Sequence, residues 1–501
     1  MELATKEFLD KIEKLASEKK ESIKSAESVY PTSGNIYYVS ENGNDCNDGL
    51  TPEKALRTLK KASELPLCEG DVILLERGSF FRGHLVIKTQ HITVSAYGKG
   101  EKPIISGSPE NGAKPHYWEL VDGTTNVYVF YKEFTDIGGI VVDDGRIAGI
   151  KKVPHFIDGR FVNSDKKSSF SPAVDLTDNY SFFCDIHNEI APNGIPVIHD
   201  RTKHIGKLYF RCDEGNPGEV FDSIEFLSRG NTVVPMADYT TIDNLCILHC
   251  GTHSIGCGTR TGLKVTNCEI GWGGGCIQFY TPDGYPVRFG NGIEIYGSCH
   301  DFTVENCYIY QIYDAGVTHQ YQFGDANQPP CIHENVTYKD NLIEYCIYNI
   351  EYFQGQNGHD DQIMRNVLMK DNILRFAGYG WGSYYSRAAH IKGWDHRNIS
   401  ENFVIEGNIF DRSRSMVIHC GVQDAKDLPV IKGNTYIHFA DNQHNLGRYC
   451  ERNCTEFCYP PERMEYTDEN IIEVVKDRDA KIYYVIEDHI CPGFWPSGMQ
   501  K

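Results

Sequence analysis

Three carboxylates recur at similar places in neighbouring strand-like segments of the C-terminal half. They are Glu294 in segment 290–297, Asp314 in segment 313–320 and Glu351 in segment 348–355. Apolar residues alternate with the acid in each segment, which predicts that the three carboxylates lie on the outer face of one sheet. Glycoside hydrolysis uses two such groups, because one protonates the leaving oxygen while the other attacks the sugar or activates water. We predict Asp314 and Glu351 as this pair, with Glu294 binding substrate or tuning one of them.

The alignment of these segments predicts their geometry. Matching IYDAGV with IYNIEY places Asn349 over Asp314, and Glu351 over Gly316. With strands about 4.8 Å apart and about 6.7 Å for two residues along a strand, the Cα atoms of Asp314 and Glu351 are expected about 8 Å apart. This separation suits both retaining and inverting glycosidases, so the stereochemical outcome stays open. Gly316 is expected to leave room for a ligand beneath Glu351.

Seven further side chains near these acids are predicted to bind the substrate. They are Arg288, His319, Gln320, Gln354, Trp381, His390 and Lys392. An indole stacks well on a sugar face, and the imidazole, amide, guanidinium and ammonium groups can bind sugar hydroxyls. The alternative is structural, with Trp381 packed in a core and the acids paired with Arg288 or Lys392.

The elements that position these residues repeat along the chain. Short apolar-alternating segments end in asparagine at seven places: Asn244, Asn267, Asn306, Asn341, Asn372, Asn408 and Asn434. The first spacing is about that of one coil of a β-solenoid, and the longer spacings indicate loops on one side. Asparagine tolerates the left-handed conformation at a bend, and stacked asparagines can form a ladder. Cys246, Cys268, Cys307 and Cys346 follow some of these positions and are expected to pack in the core.

The rest of the chain divides around this repeat. Residues 5–27 are expected to form an amphipathic helix with Phe8, Ile12 and Leu15 on one face. The predicted divisions are an N-terminal helix or cap at 1–35, a first β-helix part at 36–114, an inserted β-rich module at 115–222, the main coils at 223–440 and a C-terminal cap at 441–501.

The opening YYVSENGNDCNDG, the later GDVILLERGSFFRGHLVI and the asparagine-punctuated coils resemble the right-handed parallel β-helix proteins of the pectate-lyase-like superfamily. The resemblance covers about 36–107 and 223–440. It implies an all-β fold, a right-handed parallel β-helix, and a carbohydrate-active protein. The inserted module is similar in architecture to the β-xylosidase-like glycoside hydrolases built on this helix.

The net charge and the cysteine content limit the classes of partner and the cellular compartment that we expect. The net charge is −20, which disfavours nucleic acid and anionic membrane surfaces, and mildly disfavours a strongly anionic polymer unless a local basic patch overrules it. The first residues lack the apolar core of a signal peptide, and no window has the length of a membrane span. We therefore expect a cytoplasmic protein with an oligosaccharide substrate and 18 reduced cysteines. No cofactor is expected, although Cys450, Cys454 and Cys458 leave a structural zinc open.

Two other functions remain open. A polysaccharide lyase or uronate epimerase would use Lys392, Arg387 or His390 as the base, and calcium would neutralise the substrate. A non-catalytic carbohydrate-binding β-helix would need the aromatic and amide groups without paired acids. The sequence does not identify the sugar or its linkage.

Overall fold

The chain forms a right-handed parallel β-helix, as the repeat and the resemblance predicted. The structure is a computed structural model that describes residues 1–186, 206–321, 329–355, 361–382, 387–393, 399–422, 424–441, 444–451 and 463–486. Three long sheets run along the helix, and most of their strands pair in parallel with the next coil. Buried Ile, Val, Leu and Phe side chains from all three sheets fill one continuous core.

Sheet I has fourteen strands. They are Glu2–Leu3, Phe80–Arg82, Ile104–Ser106, Ile137–Val142, Ile147–Ala148, Ile224–Ser228, Cys246–Cys250, Glu269–Gly273, Tyr308–Ile312, Leu342–Glu344, Ile373–Arg375, Ile409–Asp411, Thr435–Phe439 and Lys481–Val485. Sheet II has eleven strands. They are Ile36–Val39, Val72–Glu76, Thr93–Tyr97, Thr241–Asp243, Arg260–Thr261, Lys264–Thr266, Cys299–Glu305, Ile332–Lys339, Ile363–Lys370, Ser400–Glu406 and Val430–Lys432.

Sheet III has nine strands and carries the predicted site. They are Leu85–Ile87, Val233–Pro235, Ile255–Cys257, Ile293–Tyr296, Ala315–Tyr321, Tyr348–Gln354, Ala389–Gly393, Met416–Val422 and Asn445–Glu451. The short helices are Pro52–Lys54, Leu59–Ser63, Pro115–Tyr117, Asp143–Gly145, Pro172–Asp175, Pro217–Val220, Ala425–Asp427 and Asn470–Val474.

A separate, mainly antiparallel sheet lies within the range of the predicted module. Its five strands are Trp118–Leu120, Val127–Phe134, Ile150–Lys151, Ser181–Ile186 and Gly206–Arg211. Two hairpins accompany it, His155–Ile157 with Arg160–Val162 and Cys276–Tyr280 with Pro286–Phe289. The module has its own aromatic core around Trp118, Phe130, Phe210 and Phe226.

The N-terminal helix, Lys6–Lys24, begins at Thr5, whose side chain accepts a hydrogen bond from the backbone N–H of Phe8. It lies on the outer face of sheet I, where Ile12 packs near Ile437 and Ala16 packs near Leu342. Ile12 is buried as predicted, but Leu15 is 42% exposed. The buried face instead continues through Ala16, because the helix turns 3.6 residues per turn.

The asparagine repeat forms two columns rather than one. Asn341, Asn372, Asn408 and Asn434 stack inside the coils, and each donates a side-chain hydrogen bond to the next or to Asp477 at 2.9–3.1 Å. Asn244, Asn267 and Asn306 occupy the preceding position, which has a positive φ in every coil and is filled by Asp340, Asp371, Gly407 and Gly433 farther along. Cys268 and Cys307 precede Asn341 in the inner column and are buried.

Candidate active site

The outer face of sheet III carries one column of polar side chains, because parallel coils pair residue by residue. Glu294 is paired with Thr318, and Thr318 with Glu351. Glu351 is paired with Lys392, followed by His419 and then Arg448. Glu294 and Glu351 therefore share a column, separated by Thr318 and by two strand spacings of about 4.8 Å each.

Asp314 lies outside this column, at the corner before the strand Ala315–Tyr321. Its backbone N–H donates to the carbonyl of Gly290 at 3.2 Å, and its own carbonyl accepts from Ile347 and Tyr348 at 3.1 Å each. Ala315 is paired with Tyr348, so the predicted alignment of Glu351 with Gly316 was wrong by two residues. The separation of about 8 Å between the Cα atoms of Asp314 and Glu351 was predicted from that alignment, so it is not supported either.

The register differs because matching by residue type does not detect a shift of two residues, which leaves every side chain on the same face. The alternation is also interrupted in this sheet. Val317 and Ile350 point into the core, as predicted, and so does Ile391. The residues before them, Gly316, Asn349 and His390, are also packed inward. A Cβ on Gly316 would lie 2.7 Å from Ile343 Cγ2, which belongs to the core. The prediction that Gly316 opens space beneath Glu351 was therefore wrong.

His390 was predicted to bind substrate, but it also faces inward. Its Nδ1 lies 3.1 Å from Nδ2 of Asn349, and its ring stacks on Phe410 with centroids 5.9 Å apart. Burial lowers the pKa of His390 to about 3, so the ring is neutral at ordinary pH. His390 packs in the core beside Asn349 and does not line the outer face.

His319 was also predicted to bind substrate, and the structure places it in the core. It is paired with Ile295 and Tyr352, which both point inward, and its Nδ1 lies 2.8 Å from the hydroxyl of Tyr338. Burial, with His333 beside it, holds the pKa of His319 well below its usual range. Strict alternation after the outward Thr318 already indicated this inward position.

The two predicted glutamines have different positions. Gln320 lies on the outer face, and its Nε2 donates to Oε1 of Glu294 at 3.0 Å. Gln354 is buried, and its Nε2 donates to the carbonyls of Cys331 and Ile363 at 3.0 Å each. Gln320 therefore orients an acid of the site, whereas Gln354 joins the ends of two neighbouring segments.

Trp381 and Arg288 are packed between the coils and the module, not exposed for stacking or binding. The indole Nε1 of Trp381 donates to the carbonyl of Gln311 at 2.8 Å, and the ring packs in a cluster with Trp272 and Tyr313. Arg288 donates to the carbonyls of Gly275 and Gly138 at 2.7 and 2.9 Å, and its guanidinium lies 4.2 Å from the ring centre of Tyr313. Both were predicted to bind substrate, and both instead fix Tyr313, the residue before Asp314.

Glu294 is held as an anion. Its side chain accepts from Asn291 Nδ2 at 3.2 Å and from Gln320, and it contacts Nδ1 of His253. Burial opposes its ionisation, but the charge of His253 and these hydrogen bonds outweigh burial and lower the pKa of Glu294. The pairing of Ile255 with Ile293 places His253 level with Asn291, one coil from the segment of Glu294, and these two isoleucines are the sequence signal for His253.

Asp314 has the opposite environment. Burial raises its pKa well above the usual range, and the nearby charges of Glu351 and Glu294 raise it further, while Lys392 partly offsets them. Among the residues that the structure describes, none donates a hydrogen bond to its carboxyl group. Asp314 also keeps some contact with solvent. Asp314 is therefore an acid that tends to keep its proton and faces outward near the anionic Glu294.

Thr318 and Tyr348 complete the face and were not predicted as site residues. Thr318 is fully buried between Glu294 and Glu351, and its hydroxyl has no hydrogen-bond partner within the described ranges. Nζ of Lys392 lies 3.3 Å from the hydroxyl of Tyr348 and 4.4 Å from its ring centre. Only the correct register brings Thr318 between the two glutamates.

Other predicted features can be placed as follows. The fifteen described cysteines form no disulfide with one another, Cys450 is exposed, and Cys454 and Cys458 lie outside the described residues. Within the described ranges, no three His, Cys, Asp or Glu side chains are grouped as metal ligands. The helices described in the structure are all too short or too polar to cross a membrane.

No protein-family model matches the chain, and no curated protein matches it. Similar solved structures include XylC in complex with xylose, at 12% identity over 80% of this chain and 68% of that chain, with a TM-score of 0.44. A GH136 lacto-N-biosidase from Eubacterium ramulus has 13% identity over 95% of this chain and 71% of that chain, with a TM-score of 0.33. A polygalacturonase from Erwinia carotovora ssp. carotovora has 12% identity over 83% of this chain and 94% of that chain, with a TM-score of 0.28.

Proposed function

We propose that this chain is a glycoside hydrolase that cleaves oligosaccharides on the outer face of sheet III. The observation that carries the proposal is the grouping of three acids on one face, with Glu294 and Glu351 in one column and Asp314 at the corner beside it. Their environments raise the pKa of Asp314 and lower that of Glu294. Acids whose environments drive their pKa values apart suit general acid and base roles.

The roles follow from the surroundings of each acid. Asp314 is the general acid, because it retains a proton that no described neighbour accepts through a hydrogen bond. Glu351 is the nucleophile or the base that activates water, since its charge affects the pKa of Asp314 more than any other charge does. Glu294 keeps Asp314 protonated by its fixed charge and orients the face through Gln320. Thr318 provides a hydroxyl between the two glutamates for a sugar hydroxyl or the attacking water.

We also propose that the enzyme works inside the cell on a neutral or charged oligosaccharide without a cofactor. Cysteines that are buried as thiols in the core, such as Cys268 and Cys307, support a reducing compartment, where such thiols persist.

The test is turnover of a panel of aryl glycosides and oligosaccharides by the wild type and by Asp314→Asn and Glu351→Gln. Each substitution should lower turnover by about 10²- to 10⁴-fold, the usual value of general acid or base catalysis. Glu401→Gln is the matched control, because Glu401 lies on sheet II and pairs with Arg365 at the surface. If turnover of every cleaved substrate survives both substitutions, the hydrolase proposal is wrong. The anomeric form of the first product distinguishes inversion from retention.

A lyase is the second candidate, because Lys392 lies next to Glu351 in the same column. Of the other bases considered for a lyase, His390 is excluded by its position in the core, whereas Arg387 lies just before the strand Ala389–Gly393. A lyase would release an unsaturated product that absorbs in the ultraviolet, and a hydrolase would not. A chelator would stop a calcium-dependent lyase.

A further inference from the structure

His253 lies one coil before Glu294 and is fixed against it. Its backbone N–H donates to Oδ1 of Asn231, and its carbonyl accepts from the N–H of Thr232, both at 3.3 Å. At the other end of the residue, Nδ1 of the ring contacts the carboxylate of Glu294. The imidazole is therefore oriented both from its backbone and from its ring.

The two ring nitrogens of His253 have different surroundings. Nδ1 contacts Glu294 and also lies 3.2 Å from the backbone nitrogen of Asn291, which is the longer of the two contacts. Because an ionised carboxylate only accepts hydrogen bonds, its contact favours a proton on Nδ1. Nε2 has no hydrogen-bond partner within the described ranges, and it is not one of the buried side-chain atoms left without a partner. Nε2 therefore reaches solvent.

Glu294 positions His253 and has little capacity left for a ligand of its own. Its Oε1 accepts from Gln320 at 3.0 Å, and its Oε2 accepts from Asn291 at 3.2 Å and contacts His253. A carboxylate has about four acceptor positions, so most of them are filled. The side chain of His253 is 14% exposed and that of Glu294 is 5% exposed. The imidazole is therefore the group of this pair that faces outward.

An aromatic face of the hairpin 276–289 adjoins His253. Phe279 pairs with Val287, and Phe289 lies two residues beyond Val287, so these three side chains share one side of the hairpin. The ring of Phe289 meets the ring of His253 edge-on, with centroids 5.3 Å apart. Phe279 is 38% exposed and lies about 7 Å farther along the hairpin than Phe289. We call Phe279, Val287 and Phe289 the hairpin face.

The hairpin face is not the side by which the hairpin packs on the module. Ile277 and Tyr280 form a buried cluster with Phe156 of the neighbouring hairpin. Single exposed apolar side chains are common on protein surfaces and need no explanation. Phe279 differs from them because it continues an aromatic face that ends at an oriented imidazole.

A sugar ring uses both kinds of group. Its C–H surface packs on aromatic rings, and its hydroxyl groups bind the few polar atoms that fix its orientation. A hydroxyl both donates and accepts, so it can bind Nε2 of an imidazole in either protonation state. The anionic Glu294 beside His253 disfavours a negatively charged unit at this place. The combination therefore suits a neutral sugar.

We propose that His253 and the hairpin face form a subsite for a neutral sugar unit, on the side of Glu294 away from Glu351. Nε2 of His253 binds a hydroxyl group, and the rings of Phe289 and Phe279 carry the sugar faces. The subsite adjoins the acids, because the N–H of Asp314 donates to the carbonyl of Gly290, the residue after Phe289. This inference rests on the proposed function, and it adds the direction in which the oligosaccharide extends.

The first experiment measures binding by titration calorimetry, with Asp314→Asn present in every protein so that no ligand is consumed. The ligands are oligosaccharides of xylose, of glucose and of galactose, each from two to five units long. Phe279→Leu should weaken binding of the longer members by about 2- to 12-fold, because leucine is apolar but lacks the flat ring. Tyr131→Leu is the control, since Tyr131 is an equally exposed kind of ring, 56% exposed, in the separate antiparallel sheet.

Two variants of His253 separate ligand binding from support of Glu294. In His253→Asn the amide lies near the former position of Nδ1 and can still donate to Glu294, but the outer nitrogen is lost. In His253→Gln the amide lies nearer to the former position of Nε2 instead. His253→Asn should therefore weaken oligosaccharide binding by about 2- to 12-fold, and His253→Gln should weaken it less. Thermal unfolding checks that each variant is folded.

Unchanged affinity in either Phe279→Leu or His253→Asn would overturn the proposal, as would an equal loss in Tyr131→Leu or binding of none of the oligosaccharides. A purely structural His253 would give wild-type affinity in His253→Asn, where Glu294 keeps its donor. Because turnover plays no part in the measurement, the subsite would stand even if no oligosaccharide were hydrolysed. Hydrolysis by the wild type together with unchanged affinity in the two variants would support the proposed function while refuting the subsite.

Discussion

Asp314→Asn should stabilise the protein while it removes activity. The pKa of Asp314 is raised, so the folded chain binds this proton more tightly than the unfolded chain does. The stability that the proton contributes is fully present below the ordinary aspartate pKa of about 3.9 and is lost as the pH rises through the raised value. Within that window the loss reaches about 1.4 kcal/mol per pH unit, the value for one proton. Asparagine stays neutral, so the variant should avoid this loss.

The assay is thermal unfolding of wild type and Asp314→Asn from about pH 4 to neutral pH. The variant should unfold at nearly the same temperature as the wild type at the acidic end and at a higher temperature at neutral pH. Asp10→Asn is the control, because Asp10 is exposed and, among the described residues, pairs with Lys6 at 2.7 Å. A difference that does not change with pH, or a variant that is less stable at neutral pH, would show that Asp314 is ionised in the folded protein. Its assignment as the general acid would then be refuted.

Three further results are expected from single substitutions. Glu294→Gln removes a charge that raises the pKa of Asp314, so the loss of kcat/KM on the alkaline side should begin at a lower pH. Lys392→Met removes a charge that lowers this pKa, so the alkaline limb should move to higher pH; loss of turnover by orders of magnitude would instead identify Lys392 as a lyase base. Asn408→Ala should lower the free energy of unfolding by about 2–4 kcal/mol, because Asn408 bonds to Asn372, Asn434 and the carbonyl of Met369 within the core; an unchanged denaturation midpoint would contradict this.

The solenoid was predictable because each coil repeats the same local pattern. Apolar alternation, a bend residue and a small or polar residue after it recur in every coil, and each signal is local in the chain. The two asparagine columns could not be separated in the same way, because the alignment used the residue type alone. Asn306 and Asn341 differ by one position, and only the pairing of Glu305 with Lys339 shows that Asp340 occupies the place of Asn306.

The site was less predictable, for two physical reasons. Matching the two segments by residue type placed Glu351 two residues out of register, and alternation did not reveal this because a shift of two keeps each side chain on its face. Sheet III also turns Gly316 inward beside Val317, which alternation does not predict. Packing between distant segments is also invisible to a repeat alignment. The hydrogen bond from Arg288 to Gly138 joins residues 150 positions apart. Because of it, Arg288 supports Tyr313 instead of binding a sugar as predicted.

A comparison with Asp411 shows that a purely structural role does not account for the environment of Asp314. Both are aspartates at the end of a coil segment, and burial acts to raise the pKa of each. At Asp411 the charges of Arg412 and Arg375 outweigh burial and lower the pKa, through ion pairs at 2.6 and 3.0 Å. An acid that serves the fold is compensated in this way, because an unpaired buried charge destabilises the folded state.

Asp314 has two carboxylates and one lysine around it instead, and this environment holds a proton on it at a cost to stability. Residues with such a cost are expected where they act on a ligand. The outward position of Asp314, at the corner before the strand that carries Thr318, is where a ligand would use that proton.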